Sequence, residues 1–243
     1  MMSDVCQRWR RRCARYRPSG EVVNVSRYEV AAIPDDRTAR AFVQEHHYSG
    51  SYPAARRRFG LYDRGELVGV AVYSVPPRAE VLSVLGCPVE EGAELGRFVL
   101  LDAVPGNGET FFLSRCHALL RADGFGGIVT FADPHPRTTA QGETVFAGHL
   151  GTIYQASSAV FLGRAHPDTV MLLPDGRSFS RRALSKIRTR DTGWRYAVEQ
   201  LVAAGAAEPQ GDNLDAWLTI EAPRVLRRTR RSEEHTSELQ SRS

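Results

Sequence analysis

Hydrophobic and polar positions change their period several times along the middle of the chain. Residues 94–101 form an apolar run with a charge inside it, which favours a buried strand. Residues 109–120 place apolar side chains at three- and four-residue spacing, which predicts a helix. A second strand is predicted at 127–132, before Asp133-Pro134. The pattern therefore predicts a strand–turn–helix–strand unit, followed by a polar loop and a helix at 151–164.

The flanking segments predict further strands, helices and tails. Strands are expected within 21–33, 58–62, 66–74 and 168–173, and helices at 7–18, 36–45, 179–188 and 194–204. This order predicts an α+β fold with a mostly antiparallel sheet flanked by helices. We divide the chain into a basic N-terminal helix (1–20), a main domain (21–205) and a C-terminal linker and basic tail (206–230). The helical C-terminal segments form an extension of the main domain.

Composition restricts the class of protein. The chain has 243 residues, with 42% hydrophobic and 25% charged residues, which is typical of one globular α/β domain with extensions. No apolar run approaches the ~20 residues of a membrane span. Four cysteines show neither metal-ligand spacing nor a disulfide framework. We therefore expect a reduced, cytoplasmic protein.

The last thirteen residues have an unusual sequence. Residues 231–243 look like the in-frame translation of a common sequencing adapter, so we interpret them as an artefact. Without them the formal net charge changes from +4 to +5. Charge alone does not identify a nucleic-acid partner, but local clustering is informative.

Two arginine clusters are candidates for DNA contact. Residues 7–18 contain six arginines with Trp9 and Tyr16 seven residues apart, which predicts a basic helix lying along a phosphate backbone. Arg10, Arg11 and Arg12 are its centre. A solvated terminal helix docked by its two aromatic side chains fits equally well. The second cluster is either a phosphate contact or a charged strand edge, and it comprises Arg56, Arg57 and Arg58.

The turn after the first core strand is a candidate anion site. Gly106 and Gly108 allow backbone N–H groups to approach a ligand closely, and the following helix N-terminus favours negative charge. Such a turn can hold a pyrophosphate without a lysine. An ordinary strand-to-helix connection is the alternative.

Several polar residues beside predicted strands and helices are candidates for chemistry. His47 and Tyr48 follow the end of a helix and are suited to acid–base work or base stacking, although His46 and His47 can also cap that helix. Arg97 stands inside an apolar strand, where a guanidinium needs a carboxylate or phosphate partner. A structural salt bridge to Asp133 or Glu94 would also satisfy it.

The order and spacing of several segments resemble the Mom family of DNA-modification proteins of Mu-like phages, a divergent branch of the GNAT acyltransferases. The matching segments are 94–97, 99–102, 104–105, 112–114, 129–134, 148–156 and Gly163. A looser match on both sides includes 47–49, 174–176 and 184–186, so the resemblance covers about 20–205. The resemblance implies a GNAT-like sheet splayed near its cofactor. It also implies that the protein converts adenine in double-stranded DNA to the N6-methylcarbamoyl (acetamido) form. The implied donor is acetyl-CoA or a related acyl-CoA, and the modification protects DNA from restriction.

The resemblance implies roles for individual residues. Asp133 accepts a hydrogen bond from the adenine amine, and Tyr154 donates a proton to the departing thiolate, unless it is a core aromatic. Ser114 contacts the pantetheine arm or packs in the helix. The remaining catalytic candidates are His47, Tyr48 and Arg97. The cofactor-binding candidates are Leu101, Val104, Gly106, Asn107, Gly108 and Ser114.

Iron and two other functions are alternatives. Asp133, His135 and His149 include a two-histidine, one-carboxylate set that could hold iron. A conventional GNAT acetyltransferase acting on a protein or small-molecule amine would share the fold and the cofactor. A non-catalytic DNA-binding module would bind DNA with steep salt dependence and would not bind CoA.

Overall fold

The structure is a computed structural model, and it describes residues 5–76, 79–149, 151–164, 168–231 and 235–239. Within these residues the chain divides into two compact units. The first contains 5–134, 148–164 and 235–239, and the second contains 135–147 and 168–231. The boundary falls inside the segment 21–205 that the sequence suggested as one catalytic domain. Among the described helices, none is long and apolar enough to cross a membrane.

The first unit is built on a seven-stranded sheet. Its order is β10-β14-β7-β6-β5-β4-β3, and its neighbours are antiparallel except for β6 and β7. The strands are β3 (Tyr28–Ala32), β4 (Ala55–Asp63), β5 (Glu66–Ser74), β6 (Gly92–Leu100), β7 (Gly127–Ala132), β10 (Val160–Arg164) and β14 (His235–Leu239). The helices are α1 (Asp36–His46), α2 (Gly108–Ala122) and α3 (Thr152–Ala156). This architecture confirms the predicted α+β class.

The parallel strands β6 and β7 form a fork. Their pairing covers Gly92 to Glu94 against Gly127 to Val129 and stops there along the described strands. On the other side of β6, Val72 pairs with Arg97 and Tyr73 with Leu95, so Gly96 is a bulge. A Cβ at Gly96 would lie 2.4 Å from Ser74 Oγ, so glycine is required there. Because a bulge bends its strand, it helps β6 to diverge from β7.

The core of the first unit lies between α2 and the sheet. Phe112, Cys116 and Leu120 are buried on one face of α2, as their three- and four-residue spacing predicts. They pack with Phe59 and Tyr73 of the sheet, both of which are buried. Burying each such large side chain contributes about 1.5–3 kcal/mol. This packing fixes the glycine turn at the start of α2 relative to the fork.

The predicted N-terminal helix is wrong. Residues 5–18 form an antiparallel hairpin of β1 (Val5–Arg10) and β2 (Cys13–Pro18). The turn residues Arg11 and Arg12 both have positive φ, 47° and 65°, as the tight hairpin turn that suits strand twist requires. Residues 1–4 of the predicted helix lie outside the described residues. Tertiary contacts override the helical spacing, since the hairpin buries Arg8 and Trp9 in the first unit.

Two segments near the C-terminal side of the first unit also differ from prediction. The helix expected at 151–164 stops at Ala156, because Ser158 has a φ of 64°, and residues 160–164 form β10. The segment interpreted as a sequencing artefact contributes β14, which lies between β7 and β10. Residues 232–234 and 240–243 of that segment lie outside the described residues.

The second unit combines short strands with three helices. It contains β8 (Arg137–Thr138), β9 (Thr144–Phe146), β11 (Asp168–Leu172), β12 (Ser178–Phe179), β13 (Arg227–Arg231), α4 (Arg181–Thr189), α5 (Trp194–Ala203) and α6 (Leu214–Val225). Ile187, Leu201 and Leu218 lie at its core and are almost fully buried. The predicted linker at 206–230 instead contains α6 and β13, because α6 buries apolar side chains and Asn213 caps its N-terminus.

Candidate active site

The site develops where β6 and β7 separate. The glycine turn follows the C-terminal end of β6, and Asp133 follows the C-terminal end of β7. Ligand crevices in open sheets form outside the carboxyl ends of parallel strands, particularly where neighbouring strands diverge. The predicted cofactor-binding turn and Asp133 therefore both lie at the carboxyl end of the fork.

Tyr154 is buried beside the fork. Gly151, whose φ is 71°, precedes α3, and Tyr154 on α3 is only 6% exposed. Burial raises the pKa of Tyr154 to about 12, the Thr130 side chain counteracts part of that rise, and the charges of Tyr48 and Glu94 add to it. Tyr154 is therefore protonated at neutral pH.

His47 is held in one tautomer. Its Nδ1 accepts a hydrogen bond from the Ser49 backbone N–H at 3.1 Å and lies 2.8 Å from Ser49 Oγ. A backbone N–H can only donate, so Nδ1 carries the lone pair and the neutral ring carries its proton on Nε2. His47 is buried, whereas the adjacent Tyr48 is half-buried. In this state His47 is a donor through Nε2 rather than a base.

Trp9 joins the His47–Tyr48 pair from the N-terminal hairpin. The Trp9 ring centroid lies 5.0 Å from that of Tyr48 and 6.1 Å from that of His47. The His47 and Tyr48 rings are 4.2 Å apart. Sequence reasoning missed this contact because it placed Trp9 on a helix. The available signal was a tryptophan within an arginine cluster in the sequence, and this signal does not specify which ring Trp9 contacts.

Arg97 is anchored to the segment after Tyr48. Its Nε donates to the Ser51 carbonyl at 2.9 Å and its Nη2 donates to Ser51 Oγ at 2.6 Å. Its Nη1 donates to the Gly96 carbonyl within the bulge. Arg97 is half-buried rather than fully enclosed. The guanidinium therefore ties the bulged strand β6 to the loop that carries His47 and Tyr48.

Asp133 follows the end of β7 and is joined to His149 through its backbone. Its side chain is 3% exposed, and its carbonyl accepts the His149 backbone N–H at 2.7 Å. The His149 and Tyr154 rings are 6.2 Å apart in an edge-to-face arrangement. His135, which belongs to the second unit, is half-buried.

The iron hypothesis finds no support in the geometry. Across the part of the chain that the structure describes, no group of three or more His, Cys, Asp and Glu side chains is positioned to hold a metal ion. The proposed set of Asp133, His135 and His149 is therefore not assembled as a ligand group. Their order in the sequence matched a ligand pattern, but such a pattern does not fix the directions of three side chains.

The glycine turn is engaged by the chain itself. The Gly106 N–H donates to Glu21 Oε2 at 2.7 Å, and a Cβ on Gly106 would lie 2.1 Å from the Pro18 carbonyl oxygen. Hydrogen bonds from Arg17 and from the Gly106 N–H lower the pKa of Glu21 to about 2. The turn thus holds an anion, as expected of such a backbone, but that anion is a carboxylate of the same chain.

The other predicted cofactor residues surround this turn. Asn107 has a φ of 65° and donates through Nδ2 to the Glu21 carbonyl, and Gly108 begins α2 beneath Val104. Val104 is buried, and its carbonyl accepts a hydrogen bond from Arg8. Leu101 donates its N–H to the Val68 carbonyl.

A cleft of about 460 Å³ runs between α2 and α3. Ser114 and His117 of α2 line one side, and Ser157 and Ser158 line the other. Burial, assisted by the charge of Arg121, lowers the pKa of His117 to about 4. Among the described atoms, its Nε2 is buried without a hydrogen-bond partner. Residues of α2 from Thr110 to Arg121 line the cleft, and Ser114 among them is exposed.

Arg8 anchors the hairpin to the glycine turn. Its side chain is fully buried and pairs with Glu109 through both Nη1 and Nη2. Its Nε donates to the Val104 carbonyl at 3.0 Å, Nη2 to the Pro105 carbonyl at 2.5 Å and Nη1 to the Gln7 carbonyl at 3.1 Å. All five N–H donors of the guanidinium are therefore used.

The two arginine clusters have different environments. In the hairpin, Arg10 is 52% exposed and pairs with Asp102, Arg11 is exposed, and Arg12 donates to the Gln44 carbonyl. In β4, the Arg56 guanidinium donates to the Val89 and Glu90 carbonyls.

The other two arginines of β4 also have protein partners. Arg57 pairs with Asp123 at 2.7 Å and remains 44% exposed. Arg58 contacts Asp36 at 3.2 Å and donates to the Pro34 carbonyl. The contacts of Arg56 and Arg58 indicate a structural role for these two side chains.

One comparison with known proteins identifies a family. A sequence model of the Mom protein family matches residues 27–213. A search of curated proteins finds no significant match.

Three solved structures illustrate the structural comparison. A tandem GNAT protein from the clavulanic acid biosynthesis pathway is 10% identical, with 89% of this chain and 99% of that chain covered and a TM-score of 0.47. A Bacillus subtilis acetyltransferase in complex with CoA is 9% identical, with 89% and 99% covered and a TM-score of 0.37. An N-acetyltransferase from Staphylococcus aureus Mu50 is 11% identical, with 76% and 67% covered and a TM-score of 0.33. The family match spans most of the chain, and the chain belongs to the Mom protein family.

Proposed function

We propose that this chain modifies the exocyclic amine of adenine in double-stranded DNA, using acetyl-CoA or a related thioester as donor. The modification would protect DNA from restriction in the cytoplasm of a bacterial host. The observation that carries the proposal is the family match over 27–213, which includes His47, Tyr48, Arg97, Asp133 and Tyr154. The arrangement of these residues around the fork supports it.

Asp133 is the proposed acceptor for the adenine amine. An exocyclic aromatic amine is a weak nucleophile, and a carboxylate that accepts one of its hydrogens increases electron density on nitrogen. Asp133 is buried at the end of β7, where a carboxylate is shielded from water. The base must leave the DNA stack to reach it, which costs a few kcal/mol.

The transfer step can be balanced with the thioester alone. A bond forms between the adenine nitrogen and the donor carbonyl carbon, and the carbon–sulfur bond breaks. The amine loses one proton to Asp133, and the leaving thiolate gains one proton. Attachment through the methyl carbon, as in the acetamido product, also removes two electrons and replaces the thioester sulfur with an amide nitrogen, so it requires both an oxidant and a nitrogen donor. We therefore assign to this chain the transfer from the thioester, and the mass of the product separates acetyl from acetamido adenine.

Tyr154 is better suited to donate a hydrogen bond than to surrender its proton. Its pKa is raised to about 12. A thiol has a pKa of about 8.5, so complete proton transfer from Tyr154 to a thiolate would be uphill by several kcal/mol. A buried hydroxyl can still stabilise negative charge that develops on the donor. This assigns Tyr154 to charge stabilisation at the end of the fork.

The cleft between α2 and α3 is the proposed site for the arm of the donor. It presents Ser114 from α2 and opens along the same helix that begins at the glycine turn. A diphosphate group at that turn would compete with Glu21 for the Gly106 N–H. Donor binding is therefore expected to displace the Glu21 carboxylate.

Purified full-length protein, duplex DNA and acetyl-CoA provide the test. After digestion to nucleosides, mass spectrometry should show a heavier deoxyadenosine that is lost in Asp133→Ala. Asp123→Ala removes an exposed carboxylate that pairs with Arg57 and serves as the control. Acetylation of peptides or small amines without adenine modification would instead indicate a conventional acetyltransferase. DNA binding without any product would indicate a binding module.

The hairpin arginines provide a second test of the DNA substrate. Arg10, Arg11 and Arg12 are to be replaced together by alanine, and DNA affinity measured between low and high salt. Each lost phosphate contact should reduce the slope of log affinity against log salt by about one. An unchanged slope would remove the hairpin from the DNA interface.

A further inference from the structure

Three aromatic rings from two separate parts of the chain meet beside the candidate site. Tyr48 stands between the other two, with centroid distances of 4.2 Å to His47 and 5.0 Å to Trp9. Trp9 and His47 are both 6% exposed, whereas Tyr48 is half-buried. The interplanar angles of 38° to Trp9 and 31° to His47 are those of tilted, partly stacked rings. The two buried rings therefore support the Tyr48 ring.

The hairpin that carries Trp9 is attached to the rest of the first unit at two places, the glycine turn and the end of α1. Arg8 fixes β1 to the glycine turn through Glu109 and the Val104 carbonyl. At the hairpin turn, the Arg12 N–H donates to the His46 carbonyl at 3.0 Å, and the Arg11 N–H donates to His46 Nδ1 at 3.2 Å. Trp9 is thus held in register with the end of α1, directly before His47.

The segment that carries Tyr48 is tied to the strand fork. Arg97 of β6 donates to the Ser51 carbonyl at 2.9 Å and to Ser51 Oγ at 2.6 Å, three residues after Tyr48. A base that has left the DNA stack loses its π contacts, and aromatic side chains restore them. A half-buried ring with fixed support, on a segment tied to the fork, is the arrangement that a planar purine requires.

We propose that Tyr48 is the stacking surface for the extruded adenine and that Trp9 is the positioning residue that holds this ring in place. The proposal rests on adenine in DNA being the substrate. It adds a contribution from residues 5–18, which lie outside the segment matched by the family. Trp9 does not itself touch the base.

The test compares Trp9→Phe, which retains a ring, with Trp9→Leu, which retains apolar bulk without one. Tyr16→Leu is the matched control, because Tyr16 is on the same hairpin and is 55% exposed. Base stacking on an aromatic side chain is worth about 1–3 kcal/mol, which corresponds to a change of roughly 5- to 150-fold. We expect Trp9→Leu to raise the KM for DNA about tenfold and to leave the KM for acetyl-CoA unchanged. Trp9→Phe should restore most of the affinity.

A second measurement reads stacking without catalysis. 2-Aminopurine at the target position is quenched by stacking in the free duplex. It should stay quenched when the wild-type protein binds, because the extruded base stacks on Tyr48, and should emit more strongly when Trp9→Leu binds. Equal KM values for DNA in the wild type and Trp9→Leu would overturn the proposal. Equal losses of DNA affinity in Trp9→Phe and Trp9→Leu, together with a lowered melting temperature, would also overturn it, because they would show that Trp9 only stabilises the fold.

The two measurements separate this proposal from the proposed function. Trp9-dependent quenching without any modified adenine would retain the stacking site and refute the enzymatic function. Modified adenine without Trp9-dependent quenching would retain the enzymatic function and refute the stacking site.

Discussion

Breaking the buried Arg8–Glu109 pair on one side is expected to destabilise the first unit more than most single substitutions do. Arg8 is fully buried, and the Glu109 side chain is only 4% exposed. Replacing Arg8 by Met would leave the Glu109 carboxylate without its cation and the Val104 and Pro105 carbonyls without this donor. Breaking one partner of a buried ion pair costs about 3–5 kcal/mol. That is a large fraction of the 5–15 kcal/mol of a typical domain.

Urea denaturation followed by tryptophan fluorescence measures this effect. Arg8→Met and Glu109→Leu should each lower the free energy of unfolding by about 3–5 kcal/mol, and the double variant should lose less than the sum. Arg10→Ala is the control, because its pair with Asp102 is largely exposed and should contribute less than about 1 kcal/mol.

Two results would refute this reasoning. One is a loss below about 1 kcal/mol for Arg8→Met, which would mean that water reaches the pair. The other is strict additivity in the double variant, which would mean that the two side chains do not interact. Either result would also remove the anchor of the hairpin that carries Trp9.

Three further predictions concern pH, donor binding and the C-terminus. The pKa of His117 is about 4 when folded and about 6.5 when unfolded, so the unfolded chain binds an extra proton between these values and stability falls as pH drops through that range. His117→Phe should remove up to about 3 kcal/mol of that dependence in urea titrations at pH 7 and pH 4; an unchanged dependence would show that His117 does not titrate there. Glu21→Ala should increase acetyl-CoA affinity several-fold in calorimetry relative to the exposed control Glu29→Ala, because it frees the Gly106 N–H; weaker binding would show that Glu21 supports the turn. Removal of residues 231–243 should preserve adenine modification, because no proposed site residue lies there. If the truncated chain does not modify adenine, β14 is part of the functional sheet.

Local periodicity was sufficient for much of the first unit. The strand at β6, the helix at α2 and the strand at β7 follow from an apolar run, a 3.6-residue period and a second apolar run. The glycine turn was predicted because a short turn between a strand and a helix uses few residue types. These features depend on neighbours in the sequence, and local reasoning is adequate for them.

Non-local contacts explain the failures. The arginine-rich segment at 7–18 has helical spacing, but the buried Arg8–Glu109 pair joins positions 101 residues apart in the sequence. The engagement of Gly106 by Glu21 likewise depends on the path of the hairpin. The contact of Trp9 with Tyr48 follows from the same path. A pattern that is read locally cannot specify which distant carboxylate or ring meets a given side chain.

Nucleoside mass spectrometry of plasmid DNA from cells expressing the full chain tests the central claim most directly. Deoxyadenosine carrying an added acetyl or acetamido group should appear with the wild-type chain and be absent with Asp133→Ala. The modified plasmid should also resist restriction enzymes that cut unmodified DNA. Unmodified deoxyadenosine in cells that contain folded wild-type protein would contradict the account.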